Sequence, residues 1–208
     1  MKLDFLEIGT SDFETIIQSC DDLSVGIIVE PVLCYLEKLP NKPNVKKIHA
    51  AISMSETCGS CDVYYIHPDE IIKRSLPNWI RGCNKINDYH PQHEWLKLKE
   101  IVIKDTVREI PISKILKDNN VTEISVMKID TEGADCKILF NFFEQVKICN
   151  INSSCLPSKI IFENNRLTDS VELAMVIGIS QKIGYTVGGQ DGDELTLIRT
   201  ELASHDAT

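Results

Sequence analysis

No stretch of this sequence is apolar for long enough to cross a bilayer; the longest such run, residues 173–179, falls far short of the ~20 residues a spanning helix needs. Basic residues do not gather either. The 22 lysines and arginines are scattered among 31 acids, for a net charge of −9. That excludes a general nucleic-acid or anionic-membrane binder, which needs a basic cluster, and it suits a neutral or cationic small molecule. The eight cysteines lack the spacing of a secreted disulfide framework. They read as reduced thiols, the expectation for a cytoplasmic protein. No secretory leader pattern opens the chain, because Met1, Lys2, Leu3 and Asp4 run straight into a strand pattern. Internal repeats and low-complexity tracts are also missing. What is left is ordinary globular composition, 43% hydrophobic and 25% charged, at a length that suits a single domain over residues 1–208.

The chain is organised around residues 125–135, SVMKIDTEGAD. A short apolar-rich run ends abruptly in Asp130 and Glu132, Gly133 permits a tight exit, and a helical pattern follows. Open α/β sheets bind ligands outside the carboxyl ends of their strands, which makes two acids at such a tip a site candidate. The blander alternative is that Asp130 caps the next helix and Glu132 is a solvated loop acid.

Before this stretch, residues 3–9 form a strand pattern ending in Glu7 and Gly9. Ser11 and Glu14 have capping-box spacing, and Phe13, Ile16, Ile17 and Cys20 put one apolar face on the helix that should follow. Residues 26–32 are a second strand, ending in Glu30 and Pro31. Glu30 lies 21 residues after Gly9, the position from which an acid hydrogen-bonds ribose hydroxyls in doubly wound nucleotide folds. A short helix over residues 32–39 stops at Pro40, and residues 45–53, including Ala51, supply strand three.

Residues 54–100 have a different texture. They hold both tryptophans, His67, His90 and His93, and Pro68, Pro77 and Pro91, and they interrupt the strand–helix alternation. Such a segment reads as a lid or binding loop, with a subdomain whose own core surrounds Trp79 and Trp95 as the alternative. Cys58 and Cys61 form a C-x-x-C, but no second pair has zinc-finger spacing and no strand–helix context suggests redox chemistry; reduced loop cysteines are the expectation. Beyond the insert come short strands over residues 100–103 and 107–110 and a helix over 112–118. The central strand follows, then a helix with Leu139, Phe142, Phe143 and Val146 on one face, and a strand over 158–164 ending in Glu163. A helix over 169–183 is apolar on several sides and is expected to be well buried; a hairpin over 185–199 and a loose tail over 201–208 complete the chain.

The succession of elements resembles the Rossmann-like class I S-adenosylmethionine-dependent methyltransferase fold, an α/β architecture. Its mostly parallel seven-stranded sheet carries helices on both faces and ends in an antiparallel hairpin. Lys128-Ile129-Asp130-Thr131-Glu132-Gly133-Ala134-Asp135 is similar to the K-x-D-x-E-G-x-E signature of FkbM-type methyltransferases, and residues 107–116 and 160–163 resemble its flanks. The resemblance implies methylation of hydroxyl oxygens on sugars or small natural products. It also implies S-adenosylmethionine bound by Glu7, Gly9, Thr10, Ser11, Asp12, Glu30, Pro31 and Ala51. The family's first turn reads D-x-G-A-N-x-G, whereas here Phe13 stands in place of the last glycine.

Methyl transfer to an alcohol needs alignment and removal of the hydroxyl proton. Asp130 is the first candidate base, with Glu132 sharing the role or holding substrate and His90 or His93 as alternatives borne by the insert. No dedicated metal site is expected, although Asp130, Glu132 and Glu163 could instead hold a divalent ion such as Mg2+ that activates the hydroxyl. The expected partner is a small-molecule or sugar substrate. A catalytically silent protein of the same fold, using the insert as a partner surface, is the rival from another class.

Overall fold

Strands β1 (Lys2–Ile8), β2 (Gly26–Glu30) and β3 (Val45–His49), seven, five and five residues long, form the N-terminal side of the computed structural model, which describes residues 1–200. The tail expected over residues 201–208 lies outside the described residues. Helices α1 (Ile16–Ser19) and α2 (Leu33–Lys38) connect these strands. The next two strands, β4 (Ala51–Ile52) and β5 (Gly59–Ile66), lead into α3 (Pro68–Lys73), then β6 (Lys85–Ile86), α4 (Pro91–Trp95) and β7 (Val102–Ile110). The chain continues through α5 (Ile112–Asp118), β8 (Glu123–Ile129), α6 (Asp135–Lys147), β9 (Lys159–Glu163) and α7 (Ser170–Lys182). It closes with β10 (Tyr185–Asp191) and β11 (Glu194–Arg199).

The main sheet has seven strands in the order β10-β11-β9-β8-β1-β2-β3. Its five inner and N-terminal strands pair in parallel, and only β11 runs against its neighbours, in the expected C-terminal hairpin. Residues of opposite parity along the strands enter different cores. Leu6, Ile8, Ile27, Val29, Met127 and Ile129 pack with residues of α5 and α6, including Leu139, Phe142 and Phe143, while Phe5 and Ile28 pack with Ile17 and Leu36 of α1 and α2. Burial on both faces is why these strands read as apolar runs rather than alternating ones.

Several expectations are corrected. Strand three ends at His49; Ala51 and Ile52 belong to a second sheet, ordered β4-β7-β5-β6. The insert is therefore a folded subdomain, not an irregular loop. Its β7 is one long strand where two short ones were expected, and it pairs with β5 through eight registered positions. Cys61, Val63 and Tyr65 alternate inward on β5 and pack with Val107, Val32 and Tyr35. A second small core joins Ile66, Ile71, Ile80 and Leu98. The tryptophans do not form the centre, since Trp79 is 45% and Trp95 72% exposed. Tyr35 fastens the subdomain to the main sheet, its hydroxyl donating to the Ile66 carbonyl at 2.7 Å. The α7 helix is not well buried: only Val176 and Ser180 are, because one face packs inward and no further layer covers the others. No helix among the described residues is long and apolar enough to cross a membrane.

Candidate functional site

The turn after β1 carries the first group of candidate residues. Gly9 has φ +75°, and a Cβ there would lie 2.2 Å from the Asp130 carbonyl oxygen, so the two strand tips meet at a contact only glycine allows. The expected capping box of Ser11 and Glu14 does not form. Both residues adopt positive φ (54° and 55°), and the helix starts later, after Thr15, whose N–H donates to Gln18 at 3.4 Å. Glu7 takes over the capping: its carboxylate oxygens accept the Ile16 N–H at 2.9 and 3.1 Å, bringing a negative charge to the helix start.

Glu30 is 1% exposed; one oxygen accepts the Ser11 N–H at 2.9 Å and the other the Val32 N–H at 2.7 Å. Gly9, Glu30, Pro31, Ala51 and Asp130, five of the sequence candidates, line one cavity at the strand tips. Its other walls include Val63, Gly82, Asn84 and Ile86 of the insert. About 30 Å³ is free inside, room for a water or two. Thr10, Ser11 and Asp12 are buried but lie outside this lining. Ser11 donates its hydroxyl to the Arg81 carbonyl at 2.7 Å, and Asp12 is paired with the Arg81 guanidinium. Phe13 has a packing role: its ring lies where Gly82 approaches, 3.3 Å from that residue's constructed Cβ.

The second group lies across the cavity rim. Asp130, Glu132 and Glu163 each place a carboxylate oxygen within 4.8 Å of the other two. Glu132 reaches this arrangement through a left-handed backbone (φ +53°), followed by Gly133 at φ +102°. The conformation is uncommon for a glutamate, and it lies at the point where the three acids meet. Asp135, 2% exposed, ties the two strand tips together. Its Oδ2 accepts the Thr131 hydroxyl at 2.7 Å and N–H at 3.2 Å, and its Oδ1 accepts the Glu163 N–H at 3.3 Å. Glu163 Oε1 accepts Asn165 Nδ2 at 2.5 Å, while its Oε2 is buried without a hydrogen-bond partner.

His90 comes to this cluster from the insert, with Nε2 3.1 Å from Glu132 Oε2. Its tautomer follows from the other nitrogen: Nδ1 accepts the Gln92 N–H at 3.2 Å, so the neutral ring carries its proton on Nε2 and donates it to Glu132. His93 stacks edge-on against His90 at 5.8 Å, fully buried, and burial pushes it down to about 4.

Burial pushes Glu7 and Glu30 each up to about 7 despite the N–H groups facing them. Burial and the neighbouring Glu132 raise Asp130 to about 8, and the same causes raise Glu163. Raised native values mean that the folded chain holds protons the unfolded chain has released. This contribution to stability is complete below the ordinary carboxylate range and is lost as pH rises through 7 and 8. The melting temperature is accordingly expected to fall between pH 5 and 9. A melting temperature that rises across that window would show that these acids are stabilised as anions.

Spacing made Glu7, Gly9, Glu30, Asp130 and Glu132 legible as candidates. Gly82, Asn84 and Ile86 were missed, because only tertiary docking of the insert brings them to the cavity, and so was Arg81, which the same docking brings to Asp12. The C-x-x-C is split, Cys58 being exposed and Cys61 buried in the insert core.

A model of the methyltransferase FkbM domain matches residues 7–187, most of the chain. Searches of curated proteins and of solved structures returned no match.

Proposed function

Because the chain belongs to the FkbM methyltransferase family, we propose that it transfers a methyl group from S-adenosylmethionine to a hydroxyl oxygen on a sugar or small natural product, using a class I methyltransferase fold. The observation that carries this reading is the single cavity shared by Gly9, Glu30, Pro31, Ala51 and Asp130. The residues suit the cofactor: a glycine turn without side-chain bulk, a buried carboxylate for the ribose hydroxyls, and small apolar walls beside Ala51 for a base. When bound, S-adenosylmethionine supplies an electrophilic methyl carbon on a sulfonium. Gly9 allows the β1 turn to lie against the β8 tip, which keeps Asp130 at the cavity where the cofactor would be held. The insert walls shield the cavity from bulk solvent, and with so little free volume its 82–86 segment must withdraw to admit a ligand and then close again.

Oxygen is the favoured acceptor because an alcohol must lose its proton to be a useful nucleophile, and the carboxylate cluster can accept one. A base titrating near the working pH is the efficient kind, and Asp130 at about 8 meets that condition. We assign His90 a positioning part, because both its ring nitrogens are engaged and its Nε2–H holds Glu132 in place. Three converging acids repel anionic substrates and so favour a neutral or cationic hydroxyl compound. A second reading has its own observation in the partnerless Glu163 Oε2: the three carboxylates could hold a divalent cation such as Mg2+ through oxygen ligands. We place the protein in the cytoplasm, where eight cysteines at irregular spacing remain reduced.

Calorimetric titration with S-adenosylhomocysteine tests the reading. Binding is expected for the native chain and should weaken by about 1–3 kcal/mol in Glu30→Gln, which keeps the shape of the side chain but loses the anionic acceptor. Equal affinity in the variant removes Glu30 from the ribose site. No binding by the native chain would favour the silent fold, with the insert as a partner surface.

A further inference from the structure

The side-chain donors around the three acids at the β8 and β9 tips are already committed. The His90 Nε2–H goes to Glu132 Oε2 at 3.1 Å, Asn165 Nδ2 to Glu163 Oε1 at 2.5 Å, and the Thr131 hydroxyl to Asp135 at 2.7 Å. The atoms left over all accept: the Asp130 carboxylate, Glu132 Oε1 and the buried Oε2 of Glu163. Asp130 lines the cavity, and Glu132 Oε1 lies against its wall, 3.5 Å from where a Cβ at Gly82 would stand. No lysine or arginine is among the residues that line the cavity. The nearby basic side chains are spent elsewhere, Lys128 on Glu194 at 2.8 Å and Arg81 on Asp12.

A substrate alcohol alone does not answer this arrangement. It brings one O–H, which the base consumes, and it leaves the other acceptors and the negative charge unmet. An ammonium brings three N–H donors, no acceptor and a positive charge. We propose that the methyl acceptor is a vicinal amino alcohol, such as a 2-amino sugar, whose hydroxyl faces Asp130 while the neighbouring ammonium donates to Glu132 Oε1 with Glu163 beside it. The carboxylate oxygens lie within 4.8 Å of one another, so the two donor groups must be neighbours on the substrate as well. The ammonium keeps its protons on the carboxylates and is left unmethylated. Its charge also lowers the pKa of the adjacent hydroxyl, which eases proton transfer to Asp130. This rests on the cofactor and base readings above and adds to them the class of substrate.

The test uses the full chain saturated with S-adenosylhomocysteine and two pairs of probes. One pair is trans-2-aminocyclohexanol and trans-1,2-cyclohexanediol; the other is methyl 2-amino-2-deoxyglucoside and its N-acetyl derivative. Calorimetry at neutral pH is expected to favour the amine by about 10-fold or more in at least one pair, the scale of a charge-assisted hydrogen bond. Glu132→Gln should abolish that preference with S-adenosylhomocysteine affinity unchanged. Glu163→Gln should reduce it, so that the test survives if one variant fails to fold. With S-adenosylmethionine, mass spectrometry of the preferred probe should find the methyl group on oxygen and the amine unmodified. Native protein that holds S-adenosylhomocysteine but binds neither amine better than its neutral counterpart overturns the proposal and leaves the cofactor reading standing. A preference that persists in both variants, or an N-methylated product, overturns it as well. Loss of the preference on adding chelator overturns it in favour of a bound cation. Native protein that does not bind S-adenosylhomocysteine removes both readings.

Discussion

Asp130→Asn is expected to lower turnover by about 100-fold or more while S-adenosylhomocysteine still binds. Asparagine preserves the volume and the backbone contact with Gly9 but cannot take a hydroxyl proton. The residue sits where β8 ends, beside Glu132 and across from Glu163, and its raised value near 8 comes from burial first and repulsion by Glu132 second. If it acts as the base, the native rate should rise with pH through that region, and the variant should lose this dependence. Divalent ions separate the two readings of the cluster. A cation held by the three carboxylates would pull their titration down, raise the melting temperature at pH 8, and make chelator silence the native enzyme. Under the base reading, chelator changes nothing. Full turnover by Asp130→Asn on its true substrate would defeat both versions and leave Asp130 a structural turn residue.

The largest effect on stability is expected at Gly9. Its positive φ of +75° disfavours any L side chain, and an alanine Cβ would sit 2.2 Å from a backbone oxygen of Asp130, which cannot swing aside as a side-chain tip could. The left-handed conformation costs about 1–2 kcal/mol and the forced overlap about 1–3 kcal/mol more. For a chain of this length, each kcal/mol lowers the melting temperature by roughly 2–4 °C, so Gly9→Ala should lose on the order of 10 °C. Cofactor binding should fail with it, since the turn and the β8 tip must separate to make room. Gly178→Ala is the control: that glycine lies within α7 and a Cβ there meets nothing within 4 Å, so the same substitution should be neutral or slightly stabilising. Equal melting temperatures for Gly9→Ala and the native chain would show that the strand tips are not in the close contact described.

Local pattern carried a long way. Ile27, Ile28 and Val29 read as part of an apolar strand, and they form one, buried on both faces. Leu139, Phe142, Phe143 and Val146 share a face of α6 and line the largest core as their spacing required. Where reading failed, a competing interaction had won. Ser11 and Glu14 have the letters of a capping box, but their backbones turn left-handed and Glu7, buried beneath, caps α1 instead. The apolar α7 looked like a core helix; a short sequence window does not reveal that the sheet has no layer beyond it. In the insert the inward alternation of Cys61, Val63 and Tyr65 was present in the letters, yet the surrounding histidines, prolines and tryptophans drew the reading toward an irregular segment.

By itself the sequence determined the mostly parallel sheet, the strand-tip acids Glu7, Glu30, Asp130 and Glu132, and the glycine turn after the first strand. These depend on residues near one another in the chain, on period and on backbone freedom, and such signals survive without coordinates. Only the tertiary structure decided what each acid faces. Glu7 was committed to a helix start, Glu30 to loop N–H groups, and Glu163 was brought to Asp130 and Glu132 by parallel pairing of β8 with β9. The contacts of the insert, Arg81 on Asp12 and His90 on Glu132, span 69 and 42 residues. Contacts at such separation leave no periodic trace, because they arise from how the two sheets dock rather than from how either one forms.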